Sequence, residues 1–436
     1  MSTIRYGRAV ARPGLALTAA LLLTVTAPHA FAQSPAPSAG PTLDLADALA
    51  RAGGADPGLA GWTARDLAAE AGVRQAGVKP NPSLGLEVEN FAGSGARSLL
   101  DRSETTLSYQ QTLERGGKRE ARVGVARASA EVLRRRRDVR RLDLLRDVQV
   151  AYAEALAAEA ELLVAEARLI AAQSAQEDVD RRVRAARDPL FAGSRAEAVT
   201  AEAEIQRDQA RAAAANARAV LARYWMGSPD FKLDLERFFR VAAPAASTAA
   251  EPAAADLALL EAERDVAQAN VRVEQSRAVT DPTVRAGVRY FGDGGDVAFV
   301  VGGSIPLRVH DANKAGIERA IAERSAAEAD IAAERMLRER EIARLQARLA
   351  ASATESERLR TEVLPNAIRA VEQVREGFNR GGFQYANVAD AEKALADVRA
   401  RRVAVLRQFH LDQAALDRLT GRHMALASSN LNAERR

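Results

Sequence analysis

At about 150 residues per domain, 436 residues would make three globules, but the composition is wrong for them: apolar residues reach 47% with only 4% aromatic. The excess is alanine, which with arginine, glutamate and leucine is the usage of long helices. Basic and acidic residues number 62 and 58, a net +4, which excludes the strongly basic footprint of a nucleic-acid binder. The absence of cysteine excludes disulfides, thiolate metal sites, thiol nucleophiles and lipidation on an N-terminal cysteine.

Residues 1–32 read as a cleaved secretory signal. Arg5, Arg8 and Arg12 precede a 13-residue apolar run, Leu15 to Ala27, and Ala30-Phe31-Ala32 offers a small-x-small cleavage pattern. The run is too short for a mature transmembrane helix. Its removal leaves 59 basic against 58 acidic residues. Gln33 to Pro41 follows as a flexible leader.

The remainder is one unit written twice. NPSLGLEVENF (81–91) answers DPTVRAGVRYF (281–291), with Pro82 over Pro282 and Phe91 over Phe291. A helical pattern precedes each copy, Leu59 to Lys79 and Ala255 to Val279. After each come a turn-rich gap, a second alternating segment and a very long helical pattern, Lys118 to Ala186 or Ala312 to Phe378. At 1.5 Å per residue those helices are about 100 Å long, which suits a rod or a tube wall and no compact domain. Pro365 is expected to kink the second.

Each long helix ends at a Gly/Pro-marked tip, 186–195 and 376–387, and a shorter helix returns, Arg195 to Met226 and Tyr385 to Thr420. The domain reading is a first repeat over 33–226, a linker over 227–256 with Phe231, Phe238 and Phe239, a second repeat over 257–424 and a flexible tail, 425–436. Alanine on nearly every face of 151–173 indicates neighbours on more than one side, as in a multi-helix wall.

The four alternating segments, 83–91, 106–113, 283–291 and 297–307, carry apolar residues on one face. Polar residues hold the other, so that hairpins 83–113 and 283–307 have the look of membrane β-strands. Four strands cannot close a barrel, and open edges are excluded from lipid. Several copies must therefore each contribute four. The rival reading is a soluble periplasmic coiled-coil scaffold or adaptor, with the strands as a small cap.

The segments PNPSL (80–84), YQQTLERGGKREAR (109–122), DPTVRAGVRYF (281–291), GGSIPLRVHDANKAGIERA (302–320) and 363–395 resemble the TolC-like outer membrane factor family of efflux proteins. The cobalt–zinc–cadmium branch is the most similar. The resemblance implies a mainly α fold with a small membrane β-part. A homotrimer would form a periplasmic α-barrel of long helical hairpins and a shared twelve-stranded β-barrel in outer-membrane lipid. It also implies a passive efflux duct for heavy-metal cations or small toxic compounds, a periplasmic adaptor and a proton-driven inner-membrane pump as partners, and no enzyme activity. No lipid anchor would supplement the barrel.

Where the family carries D-V-x-D-A after the second tip, this chain has Asn387-Val388-Ala389-Asp390-Ala391. Asp390 and Asn387, with Arg380, Asp188 and Arg195, are the expected entrance residues. Glu87, Glu89, Arg285 and Arg289 are the expected lumenal face of the barrel. No catalytic, cofactor or metal constellation stands out: His310, His410 and His423 are scattered, and Gly116-Gly117 and 292–295 lack phosphate-loop spacing. Arg134 to Arg137, with Arg140 and Arg141, reads as a solvated stretch or as a basic collar.

Overall fold

Two rows of side chains, Leu86–Leu107–Val288–Phe299 and Leu84–Tyr109–Ala286–Val301, run straight across four neighbouring strands. The computed structural model that shows them describes residues 41–55, 58–94, 102–241 and 252–424. The expected signal and leader, the tail, and parts of the first gap and of the linker lie outside the described residues. The strands are β2 (Ser83–Glu89), β3 (Glu104–Thr112), β5 (Thr283–Phe291) and β6 (Val297–Ser304), in one antiparallel sheet of order β2-β3-β5-β6. The central β3–β5 pairing joins the two halves of the chain. Since side chains alternate with a period of two, this register gathers most of the apolar positions on one face, Ala298 and Val300 of β6 falling on the other. That face stays open: Leu84 is 73%, Val301 84% and Phe299 87% exposed.

After β3 the chain turns at Gly116 and Gly117, both left-handed, with φ of 71° and 72°. A Cβ on Gly116 would lie 2.5 Å from that of Val279, so the turn needs glycine for space as well as for conformation. Helix α3 (Lys118–Arg184) then continues for 67 residues, about 100 Å, with no proline to interrupt it. It ends before Pro189, the N-cap residue of α4 (Leu190–Arg223), which starts five residues earlier than the expected Arg195 because the reversal is tighter. On α3, Ala151, Ala153, Ala155, Ala157 and Ala160 are all buried. Small side chains on several faces let neighbouring backbones approach.

Those neighbours change along α3. Towards the sheet it lies between α2 (Gly58–Ala76) and α6 (Ala254–Arg277), with α7 (Lys314–Arg358) beyond α6. Towards the tips it lies between α4 and α9 (Tyr385–Thr420), with α8 (Leu364–Asn379) beyond α9. Four-helix layers thus stand end to end. The second long helix is interrupted near Pro365, where the sequence placed a kink. Leu359–Val363 is a π turn between α7 and α8, placed just before Pro365, whose ring nitrogen cannot continue the α-helical ladder.

Where the layers meet, the linker packs on the helices. β1 (Thr42–Leu43) pairs in parallel with β4 (Lys232–Leu233), and α5 (Leu235–Phe239) follows. α1 (Leu45–Gly54), unanticipated from the sequence, is N-capped by Asp44, whose carboxylate accepts from the Asp47 N–H at 2.8 Å. Leu43, Leu49, Tyr152, Leu156, Phe238 and Leu406 share this core, and the Tyr152 hydroxyl donates to the Leu43 carbonyl at 3.1 Å.

A buried charge cluster ties the layers together. Asp256 accepts from Arg418 at 2.6 and 3.1 Å and pairs with Arg338 at 3.0 Å, while Arg418 also donates to Asp143 at 2.7 Å. These four residues come from α6, α9, α7 and α3. Asp417 beside them accepts from Gln149 at 3.0 Å and from Gln413 at 2.7 Å, with His423 at 3.1 Å.

Candidate functional site: the polar sheet face and the paired tips

The face of the sheet opposite the apolar rows is charged. Arg289 pairs with Glu89 at 3.0 Å and Glu104 at 2.7 Å, and its Nε donates to the Thr106 hydroxyl at 2.9 Å. Arg285 lies 4.0 Å from Glu87. The four expected residues therefore sit on one face as two cross-strand pairs. Glu104 joins them although sequence reasoning missed it: extending the alternation Thr106, Ser108 upward by two residues would have found it. Asn90 donates to the same carboxylate at 3.0 Å. Side chains as open as Arg285, at 45% exposure, contribute little to stability through such pairs, roughly 0–1 kcal/mol each. They set the charge of this face.

At the far end of the helices the two tips meet. Arg182, near the end of α3, makes a two-pronged pair with Asp188 at 2.8 and 3.0 Å. Its remaining nitrogen donates to the Phe378 carbonyl at 2.6 Å, and the guanidinium stands 4.4 Å from the centre of the Phe378 ring. Phe378 is buried among Val179, Ala196, Tyr385 and Val388. Asp188 thus orients the arginine that joins the first tip to the second. A second tie lies above it: Arg375 on α8 donates to Glu392 on α9 at 2.6 and 2.9 Å, and reaches the Ala171 carbonyl of α3 at 3.4 Å. Burial pushes the Glu392 carboxyl above the usual range, against the pull of Arg375.

The other tip residues are not gathered. Arg380 pairs with Glu376 one turn earlier on its own helix. The Asn387 side chain turns back to accept from the Gln384 N–H at 3.2 Å, completing a capping box at the start of α9. Asn387 therefore holds the helix start in place. Arg195 and Asp390 are exposed on α4 and α9.

The arginine run on α3 is used in part as staples. Arg136 pairs with Glu263 of α6 and Arg137 with Asp66 of α2, each at 3.0 Å, while Arg134 and Arg135 pair with Glu131 one turn back. His310 is exposed. His410 is stacked 5.1 Å from Phe238, with its Nε2 3.1 Å from that residue's carbonyl. Among the described residues there is no cluster of three or more groups able to hold a metal ion, and no helix is long and apolar enough to cross a membrane.

The model of the outer membrane efflux protein family matches residues 48–227 and 247–422. The chain is 31% identical over 392 residues to the cobalt-zinc-cadmium resistance protein CzcC of Cupriavidus metallidurans, covering 89% of this chain and 92% of that one. It is 28% identical to the nickel and cobalt resistance protein CnrC of the same organism, over 73% of this chain and 74% of that one. Among solved structures, the outer membrane protein VceC of Vibrio cholerae superposes with a TM-score of 0.66 at 20% identity, over 86% of this chain and 96% of that one. CusC, described as forming a transmembrane channel, superposes with a TM-score of 0.68 at 15% identity, over 89% and 95%.

Proposed function

Because the chain belongs to the outer membrane efflux protein family, we infer that it is the outer-membrane exit duct of a tripartite efflux system. Three copies would each supply a four-stranded sheet to one twelve-stranded barrel, with the helical hairpins closing a second tube in the periplasm. The observation that carries this reading is the sheet itself. One face is apolar and open, the other is charged, and among the described residues β2 and β6 are paired on one side only. Unpaired edges are excluded from lipid, and a bare apolar face of this size is unfavourable in water. Closure with further copies satisfies both, putting apolar rows against lipid and the Arg289 and Arg285 pairs around a wet lumen.

The duct is passive and leaves energy to an inner-membrane pump, with a periplasmic adaptor meeting the paired tips. Asp390, exposed just past the second tip, supplies one carboxylate per copy to the entrance. The cargo is heavy-metal cations, on the strength of the names of CzcC and CnrC. A resident cofactor has no part in the reading, and neither does catalysis.

The test is the mass and conductance of detergent-extracted protein in planar bilayers. A particle of three chains that passes ions is the expected result. A detergent-independent monomer without conductance would instead make the strands a soluble cap. In cells without a second copy of the system, deletion should lower tolerance to cobalt, zinc or cadmium, and unchanged tolerance would remove the metal assignment.

A further inference from the structure

The two ends of the sheet differ in charge. At the helix end, segments 79–82, 113–119, 277–282 and 305–314 carry seven Lys and Arg against three Asp and Glu. At the loop end the described segments 90–94, 102–104 and 291–297 carry one against three. The three acids of the helix end are already engaged. Glu114 is held by both prongs of Arg122, Asp281 takes Lys118 at 2.5 Å and the Arg115 N–H at 2.9 Å, and Asp311 accepts from the Asn313 N–H at 2.7 Å. Among the described residues, Lys79, Arg115, Arg308 and Lys314 make no ion pair with an acid, so uncompensated positive charge is concentrated at this one level.

That level is also where the apolar face ends. Leu113, Ile305, Leu307 and Val309 are all exposed, the last two at 83% and 74%. Between β3 and the start of α3 lies a concavity of about 410 Å³ lined by Lys79, Pro80, Gln111 and Leu113, by Glu114, and by Lys118, Arg119 and Glu120, of which Lys118 holds Asp281 and Arg119 holds Glu120, leaving Lys79 as its unpaired cation. Gln111 stands opposite Val284, in the register of the apolar rows, and its amide donates to the Pro80 carbonyl at 3.0 Å. The concavity is thus walled in part by side chains of the apolar face, with Lys79 as the cation left unpaired in it. A free anion would gain nothing from the apolar wall, and a neutral lipid nothing from the cations. A molecule with one negative phosphate and two acyl chains uses both.

We propose that the helix end of the sheet binds anionic phospholipid, the phosphate drawn to Lys79, the unpaired cation of the concavity, and the acyl chains laid along the apolar rows beside Leu113. The proposal rests on the duct reading, which sets this end at the periplasmic surface of the membrane and so selects the inner leaflet. Arg115, Arg308 and Lys314 extend the positive level beyond the concavity, within a Debye length of the headgroup plane. The lipid collar fixes the height at which the sheet rides in the bilayer.

Purified full-length protein in a non-ionic detergent, titrated with phosphatidylglycerol or phosphatidylcholine and followed by native mass spectrometry, tests this. Phosphatidylglycerol should be retained preferentially. The variant combining Lys79→Gln, Arg115→Gln, Arg308→Gln and Lys314→Gln should lose that preference by roughly a hundredfold, in line with the attraction of juxtamembrane cations to anionic lipid. Exchanging Lys for Arg and Arg for Lys at the same four positions should keep it, which separates loss of charge from loss of fold. Equal retention of the two lipids, or displacement of phosphatidylglycerol by glycerol phosphate at equal concentration, would overturn the proposal. Conductance in pure phosphatidylcholine bilayers keeps the parent reading separate. A conducting protein without lipid preference removes the lipid site alone, whereas one that inserts in neither lipid removes the duct as well.

Discussion

Arg182 and Phe378 join the two hairpin tips through a single side chain, which donates to the Phe378 carbonyl at 2.6 Å while its guanidinium lies against the aromatic ring. Both Arg182 and its orienting partner Asp188 are largely withdrawn from solvent, at 16% and 15% exposure, so the link is screened less than a surface pair. Arg182→Gln should loosen the tips by about 2 kcal/mol, as expected for a charge-assisted hydrogen bond. Hydrogen exchange at 378–390 should rise while exchange at the linker core stays unchanged. An unchanged tip would mean that the buried Phe378 ring alone holds the hairpins together.

A second prediction separates conformation from space at the strand-to-helix turn. Gly117 is left-handed with open space at its Cβ position, so Gly117→Ala should cost only the conformational penalty, about 1 kcal/mol. Gly116 has the same φ but faces Val279 at 2.5 Å, and Gly116→Ala should cost about 3 kcal/mol. Thermal unfolding of the two variants side by side measures the difference, and equal shifts would show that the loop moves aside.

Asp256 is the acid on which Arg338 and Arg418 converge, and it is 4% exposed. Removing it leaves Arg418 with Asp143 alone and Arg338 with Glu334 alone, each having lost its most buried partner. Asp256→Ala should therefore destabilise the protein by about 2–3 kcal/mol, and Arg338→Met by clearly less, because Arg418 keeps the carboxylate paired. Denaturant midpoints of the two variants provide the comparison.

Two buried titrating groups give pH dependences of opposite sign. Burial among Phe238 and the linker holds the His410 imidazole below its ordinary value, so the folded state favours the neutral ring. Its contribution is fully present above about pH 6.5 and is lost as pH falls through the lowered folded value. Glu392 is raised by burial, so its contribution is fully present below about pH 4.5 and is lost as pH rises through the raised value. In melting temperature against pH, His410→Gln should flatten the acid-side fall and Glu392→Gln should remove the loss on the rising side. Swapped or absent effects would show that other groups dominate.

Much of the architecture can be read directly. β5 spans Thr283–Phe291, as its alternation indicates, and α9 spans Tyr385–Thr420 because Gly381-Gly382 and Gly421 mark its ends. The short elements cannot be read this way. α1 is ten residues long and ends in Gly53-Gly54, and it is helical because Leu49 finds the same core as Phe238. The paired strands β1 and β4 are two residues each, below any periodic signal. At the tips, Asp188 was legible from its place beside Pro189, but its meaning comes from Phe378, which meets Arg182 across 196 residues of chain. Asp256 is one acid among many in an Ala- and Glu-rich stretch, set apart only by arginines from two other helices. Composition and period describe local chain; these contacts are properties of the assembled layers.

The π turn at Leu359–Val363 has a consequence for the way the second hairpin is aimed. A π turn accommodates about one residue more than an α turn, and one residue corresponds to about 100° of rotation around a helix axis. α8 is thereby clocked relative to α7: a heptad count carried down from Lys314 would assign Phe378 to the wrong side of its helix. Deleting a single residue from the turn would shorten the hairpin by less than 2 Å, yet it would swing Phe378 away from Arg182. The inserted residue acts as an angular shim, set between the 45 residues of α7 and the 16 of α8, whose effect is felt at the tip.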